Sequence, residues 1–268
     1  MFSPTLFTSV INSYLPEPHA SLLNGILFGV DLHATKLFYQ ELRTVGLVHI
    51  VVLSGMNITL LGAIVMNITS FFSRRVSIMI TILIIILFVL FVGIQAPVVR
   101  AAVMGMLTLV AFIFGRKNVV LFSLFLSGIF IFIVWPEWLS SISFQLSYGA
   151  TLGIILFSGK RQIEGESNWE KVKIAIKKDL RTSLSAQVFA APIIFFYFQQ
   201  VSLISPLSNL LVSITIAPLM IMGFITAFLG KIHPFLGLIP SYICYGILSY
   251  VIFVVKTLAK VPYASISF

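Results

Sequence analysis

The chain has 268 residues, of which 59% are apolar, 13% aromatic and 9% charged, with a net charge of +9 and a mean hydropathy of +1.09. A water-soluble domain carries about 25% charged residues, so there is too little polar side chain here to cover a globule in water. That excludes a soluble enzyme, a disordered chain and a fibrous repeat, and leaves a polytopic membrane protein.

Residues 1–44 contain Pro16, Pro18, Asp31, Lys36, Glu41 and Arg43 and predict amphipathic helices lying at the membrane surface. Residues 45–268 read as one transmembrane domain. Stretches free of Asp, Glu, Lys and Arg mark the spans, because about 20 apolar residues cross about 30 Å of hydrocarbon. They predict eight spans, near 46–70, 77–94, 98–114, 119–135, 140–157, 183–199, 206–229 and 236–256, within a range of seven to nine and with some broken or re-entrant. The apolar runs are continuous and lack the alternation of barrel strands. A backbone in lipid then has to satisfy itself as helix, so the expected fold is all-α, a transmembrane helical bundle.

Positive charge falls on alternate loops. Arg74 and Arg75 follow the first span, Arg116 and Lys117 the third, and Lys231 the seventh. The segment 158–181, after the fifth, carries Lys160, Arg161, Lys171, Lys173, Lys177, Lys178 and Arg181. These loops hold 12 of the 17 basic residues, whereas the turns at 95–97, 135–138 and 199–205 hold none. Such a bias marks the cytoplasmic face, which predicts that both termini lie outside. Lys256 and Lys260 run against this orientation. The segment 158–181 reads as a solvated connector attracted to anionic lipid. Ile163, Trp169, Val172, Ile174 and Ile176 leave a short interfacial helix as the alternative.

The residues that usually carry chemistry are sparse. Cys244 is the single cysteine, and His19, His33, His49 and His233 are scattered without the i, i+4 spacing of a helical metal pair. No glycine-rich phosphate loop is present. No metal, no cofactor and no catalytic residue is therefore expected. None of the eight acids falls within a predicted span, which disfavours a proton-coupled pump, since such pumps rely on intramembrane carboxylates.

Polar residues at membrane depth are costly and tend to face a bundle interior or a wet path. Ser54, Gly55 and Asn57 interrupt the first span; close helix packing through small residues and an irregular, cavity-lining backbone are the two readings. Arg100 follows Pro97, a residue suited to a helix first turn, and either snorkels to the headgroups or lines an anion path. Gln145, Ser147 and Tyr148 lie in the fifth span as donors to a permeating chain or as ties between helices. Ser208 and Asn209 follow Pro206 and serve a path or cap the helix. Pro192 and Pro218 are expected to kink their spans.

Several motifs, taken in order, carry a resemblance. They are Leu15-Pro16-Glu17-Pro18, Gly25-Ile26-Leu27-Phe28-Gly29, Val45-Gly46-Leu47-Val48-His49-Ile50 leading into Ser54-Gly55-Met56-Asn57-Ile58, Arg100-Ala101-Ala102-Val103-Met104, Phe144-Gln145-Leu146-Ser147 with Gly153, and Ser205-Pro206-Leu207-Ser208-Asn209 with Pro218. Over roughly residues 14–230 the chain resembles the channel-forming membrane domain of the ComEC competence proteins, the DNA-internalisation family of naturally transformable bacteria. The resemblance implies import of single-stranded DNA across the cytoplasmic membrane. It also implies partners: the lipid bilayer, a DNA receptor, a cytoplasmic motor and, as a further expectation, a second copy of the chain. The family usually shows His at the position of Asn57. Longer members add an oligonucleotide-binding-like domain and a metallo-β-lactamase-like domain with no counterpart in this sequence, so no enzymatic activity is expected. A small-molecule permease of unknown substrate is the second reading. The interrupted spans suit one, although the related halves typical of permeases are not found.

Overall fold

Apolar runs away from water close their backbone hydrogen bonds within themselves, and the chain does so nearly throughout. The computed structural model describes residues 4–30, 32, 35–51, 54–115, 119–159 and 168–267. Among them are twelve α-helices: α1 (Thr5–Tyr14), α2 (His19–Phe28), α3 (Lys36–Thr44), α4 (Val48–Val51), α5 (Gly55–Ile68), α6 (Arg74–Val92), α7 (Ala96–Ile113), α8 (Val120–Val134), α9 (Ile142–Phe157), α10 (Asn168–Phe198), α11 (Ser205–Ile232) and α12 (Pro234–Ala259). A 3-10 turn, Pro136–Ser140, precedes α9. The helical bundle expected from the sequence is the fold observed. Helices α6, α7, α11 and α12 are long and apolar enough to cross a membrane, and α2, α5, α8 and α9 are shorter apolar helices. The protein is a multi-pass membrane protein.

The helix boundaries follow local signals. Thr35 and Ser141 cap α3 and α9 by accepting from the main-chain amides of Phe38 and Phe144. Ala96-Pro97, Ser205-Pro206 and Pro234 open α7, α11 and α12, where the missing proline N–H is not needed. Gly29 ends α2 in the left-handed conformation, φ 67°, which glycine adopts without strain.

The larger core gathers α1–α4, α11 and α12. Leu22, Leu23, Leu27, Val212, Ile216, Leu219, Met220, Leu248 and Val255 belong to it, all effectively inaccessible. A second cluster joins α5, α6 and α7 through Ile58, Ile85, Phe88, Val98, Ala101 and Ala102. The ring of Phe224 bridges the two, edge-on to Phe28 and to Phe88. Small residues permit the closest approaches. Tyr14 of α1 lies against Gly230 and Gly237 at the α11–α12 junction, where its hydroxyl donates to the Pro234 carbonyl at 2.6 Å.

Three expectations need correction. The span at 46–70 is not one helix: α4 ends at Val51 and α5 begins at Gly55, with Ser54 extended at φ −105°, ψ 164°. The region 1–44 is not uniformly superficial. Nine of the ten residues of α2 are buried, because its Ala, Leu, Ile and Gly surface fits between α1, α4, α11 and α12. The segment 158–181 is not simply a connector, since from Asn168 onward it is the first part of the 31-residue α10. A short two-stranded antiparallel sheet accompanies the all-α bundle, β1 (Gln200–Ser202) pairing with β2 (Ser265–Ser267). The basic residues Lys160, Arg161, Arg116 and Lys117 lie outside the described residues.

Candidate functional site

Arg100 sits one turn into α7, about 6 Å along its axis at 1.5 Å per residue. Its side chain turns across the bundle toward α9 instead of snorkelling outward. Nη1 donates to the Ser147 carbonyl at 2.7 Å and to the Thr151 hydroxyl. That hydroxyl in turn donates to the same carbonyl at 2.8 Å. The other terminal nitrogen lies against Gly55, in the space a Cβ there would occupy. Gly55 thus leaves the room that the guanidinium occupies, and the break before α5 delivers it to this point. The Arg100 Nε–H is buried and has no partner. A guanidinium offers five donors and carries its charge at all accessible pH, yet its hydrogen-bond acceptors here are neutral. None of the described Asp and Glu residues falls within α5–α9, α11 or α12.

Tyr148, the next residue along α9, points toward α8. Its hydroxyl shares a 2.8 Å hydrogen bond with Ser127, and its ring stacks on Phe144 at 4.2 Å. Gln145 lies in the first turn of α9, where its Nε2 donates to the Ser140 carbonyl at 3.4 Å. These contacts are ties between neighbouring segments.

Asn57 is almost fully buried, at 1% exposure. Its Nδ2 donates to the Ile26 carbonyl at 2.8 Å, and its Oδ1 accepts from the Ser54 hydroxyl at 3.3 Å. Ile26 belongs to the last turn of α2, whose carbonyls have no intrahelical donor. Asn57 satisfies one of them and so fixes α5 to α2 just past the extended Ser54.

Ser208 and Asn209 form a second cluster at the start of α11. The Ser208 hydroxyl donates to the Val45 carbonyl at 2.6 Å, and Gly46 beside it, at φ +73°, lets the chain close onto Ser205. Asn209 donates to the Ser183 hydroxyl of α10 at 3.0 Å, while its buried Oδ1 is unpaired.

The structure thus brings Gly55, Arg100 and Ser147 together, turns the Tyr148 hydroxyl toward Ser127 of α8, and keeps Ser208 and Asn209 on a separate seam. Two further members, Thr151 and Ser183, do not stand out in the sequence. Thr151 is four residues after Ser147 and so shares its helical face; that spacing is the one signal for it. For Ser183, which meets Asn209 across 26 residues of sequence, no local signal exists. Gly149 and Gly153 form a close-packing pair four residues apart, and that small-residue spacing is its signal in the sequence. A Cβ on Gly153 would run into the Ser185 carbonyl of α10.

The sequence matches a known family. A family model described as "Competence protein" matches residues 26–268. The chain is 26% identical over 205 residues to ComE operon protein 3 of Bacillus subtilis (strain 168), a match covering 76% of this chain and 25% of that protein. The chain thus spans about a quarter of the length of the curated relative it matches. No solved structure matches.

Proposed function

The chain belongs to the competence protein family, and from that premise we propose that it forms the membrane path by which single-stranded DNA is imported across the cytoplasmic membrane, with no chemistry of its own. The observation that supports this most is Arg100, a fixed cation held among neutral acceptors with one N–H unused. A polyanion needs donors and positive potential along its route, and carboxylates would oppose it. The helices around Arg100 offer hydroxyls and amides and contribute no described acid. The distribution of basic residues supports an orientation with both termini outside. The driving force comes from a cytoplasmic motor, and DNA is delivered by an outer receptor.

The reading is tested by uptake of fluorescently labelled DNA in a transformable host from which this chain has been deleted. Loss of internalised DNA, restored by the wild-type chain and not by Arg100→Glu, is the expected result. Unimpaired uptake in the deletion strain overturns it.

A further inference from the structure

Helices α9 and α10 form an antiparallel hairpin that differs from the rest of the bundle in how it is held. Within the hairpin the packing is close. Gly149 admits Ile193 and Phe189, Gly153 admits the Ser185 backbone, and Arg181 Nε donates to the Phe157 carbonyl at 3.1 Å. Small residues four apart let two helices in a membrane approach to backbone contact, so the pair is a rigid unit.

Outside the hairpin the picture reverses. Among the described residues, no apolar side chain between Ile131 and Val212 is fully buried, and neither α9 nor α10 contributes to either apolar cluster. Its ties to the surrounding helices are chiefly polar. Arg100 of α7 reaches Ser147 and Thr151. Ser127 of α8 meets Tyr148 at 2.8 Å. Asn209 of α11 meets Ser183 at 3.0 Å, and Arg43 of α3 donates to the Phe198 carbonyl at 2.9 Å. By contrast, the neighbouring α11–α12 hairpin interlocks through Leu219, Met220, Cys244 and Leu248, each at 0% exposure.

Both joints of the hairpin to the rest of the chain lie at one end. α9 is entered from the 3-10 turn through Ser141, which is extended at φ −71°, ψ 138°. α10 is left through Gln199, a non-glycine residue at φ 50°, into β1.

We infer that the α9–α10 hairpin is a movable wall of the bundle, hinged at Ser141 and Gln199 and latched by Arg100 on one seam and by Asn209 on the other. Helix association in lipid lacks a hydrophobic driving force and depends on packing and hydrogen bonds. A unit joined to its surroundings chiefly by hydrogen bonds therefore separates there before it separates within itself. Hinges are a few terminal residues that absorb the backbone change, and Ser141 and Gln199 occupy those positions. An anion near Arg100 competes for the donors that hold Ser147 and Thr151, which couples ligand arrival to release of the latch. The inference about motion stands on the packing alone; only the coupling to an anion rests on the proposed DNA path.

The test uses the full chain in lipid nanodiscs, in a Cys244→Ala background, with paired spin labels read by pulsed electron resonance. One pair joins the exposed positions Leu184 of α10 and Tyr250 of α12; the reference pair joins Ile225 of α11 and Phe253 of α12. The expected result is a distance distribution for 184–250 that is broader than the reference or two-component. Its second component grows in Thr151→Val, which weakens the Arg100 latch, and in Asn209→Ala, which removes the other. A single distance as narrow as the reference, unchanged in both variants, overturns the inference. In parallel, Ser183→Cys and Asn209→Cys are joined by a short, reducible thiol-reactive linker in cells. Uptake is expected to fall to the level of the deletion strain and to return on reduction. Full uptake by the linked protein overturns the latch on that seam. A mobile hairpin in a chain whose deletion leaves DNA uptake intact rejects the DNA path and leaves the moving wall standing.

Discussion

The side-chain amide of Asn57 donates to the main-chain carbonyl of Ile26 across 2.8 Å, joining the start of the helix that follows the extended Ser54 to the closing turn of a helix 31 residues earlier. This one contact couples two features that stand apart in the sequence, the Ser54-Gly55-Met56-Asn57 interruption and the Gly25–Gly29 motif. It also gives Asn57 a donor role, because a buried carbonyl needs an N–H and the side-chain amide supplies one.

Replacing Asn57 by Leu leaves that carbonyl buried without a donor, at a cost of about 1–3 kcal/mol. The midpoint of thermal aggregation in detergent should drop accordingly. Asn57→His should stay closer to wild type. Equal losses in both variants reject the donor role.

Gly55→Ala places a methyl group where the Arg100 guanidinium lies. The guanidinium has to move, and its bonds to Ser147 and Thr151 lengthen or break. DNA uptake should fall with little change in membrane insertion, and Thr151→Val, which removes one of the same guanidinium partners, should lower it little further when added to Gly55→Ala. Additive losses in the double mutant, read from the same uptake assay, refute this coupling.

Arg100→Lys retains the charge and loses the planar fork, so one ammonium has to serve both the Ser147 carbonyl and the Thr151 hydroxyl. Uptake by this variant should be intermediate. Arg100→Glu should lose on the order of tenfold or more, the equivalent of about 1.4 kcal/mol per decade. Wild-type uptake by Arg100→Glu excludes Arg100 from the path.

Gly153→Ala forces a Cβ into the Ser185 carbonyl, an overpacking of the α9–α10 seam that costs about 1–3 kcal/mol. Gly105→Ala is the matched control, because a Cβ there meets nothing within 4 Å, and alanine favours helix over glycine by up to about 1 kcal/mol. Thermal stability should fall in the first variant and hold or rise in the second.

Much of the bundle is legible in the sequence. Each of the eight predicted spans falls on helix, with the first divided at Gly55, because burial of apolar side chains in lipid and self-satisfaction of the backbone are properties of a local stretch. The site is legible only in part. Arg100, Ser147 and Gly55 stand out as polar or small residues in apolar runs, but Thr151 and Ser183 look like ordinary hydroxyl residues of a helix.

Scarcity of charge, and the placement of what charge there is, determined that this chain is a helical membrane protein with its basic residues gathered between alternate pairs of apolar runs. Those are one-dimensional properties, since solvent preference and helix length act on consecutive residues. The tertiary structure alone decided that Arg100 turns inward to α9, that Asn57 serves the end of α2, and that α2 is buried. It also showed that one hairpin is held chiefly by hydrogen bonds. The reason is physical: each depends on pairs distant in sequence, such as Arg100 with Ser147 at 2.7 Å or Ser183 with Asn209 at 3.0 Å, brought together by how the helices pack.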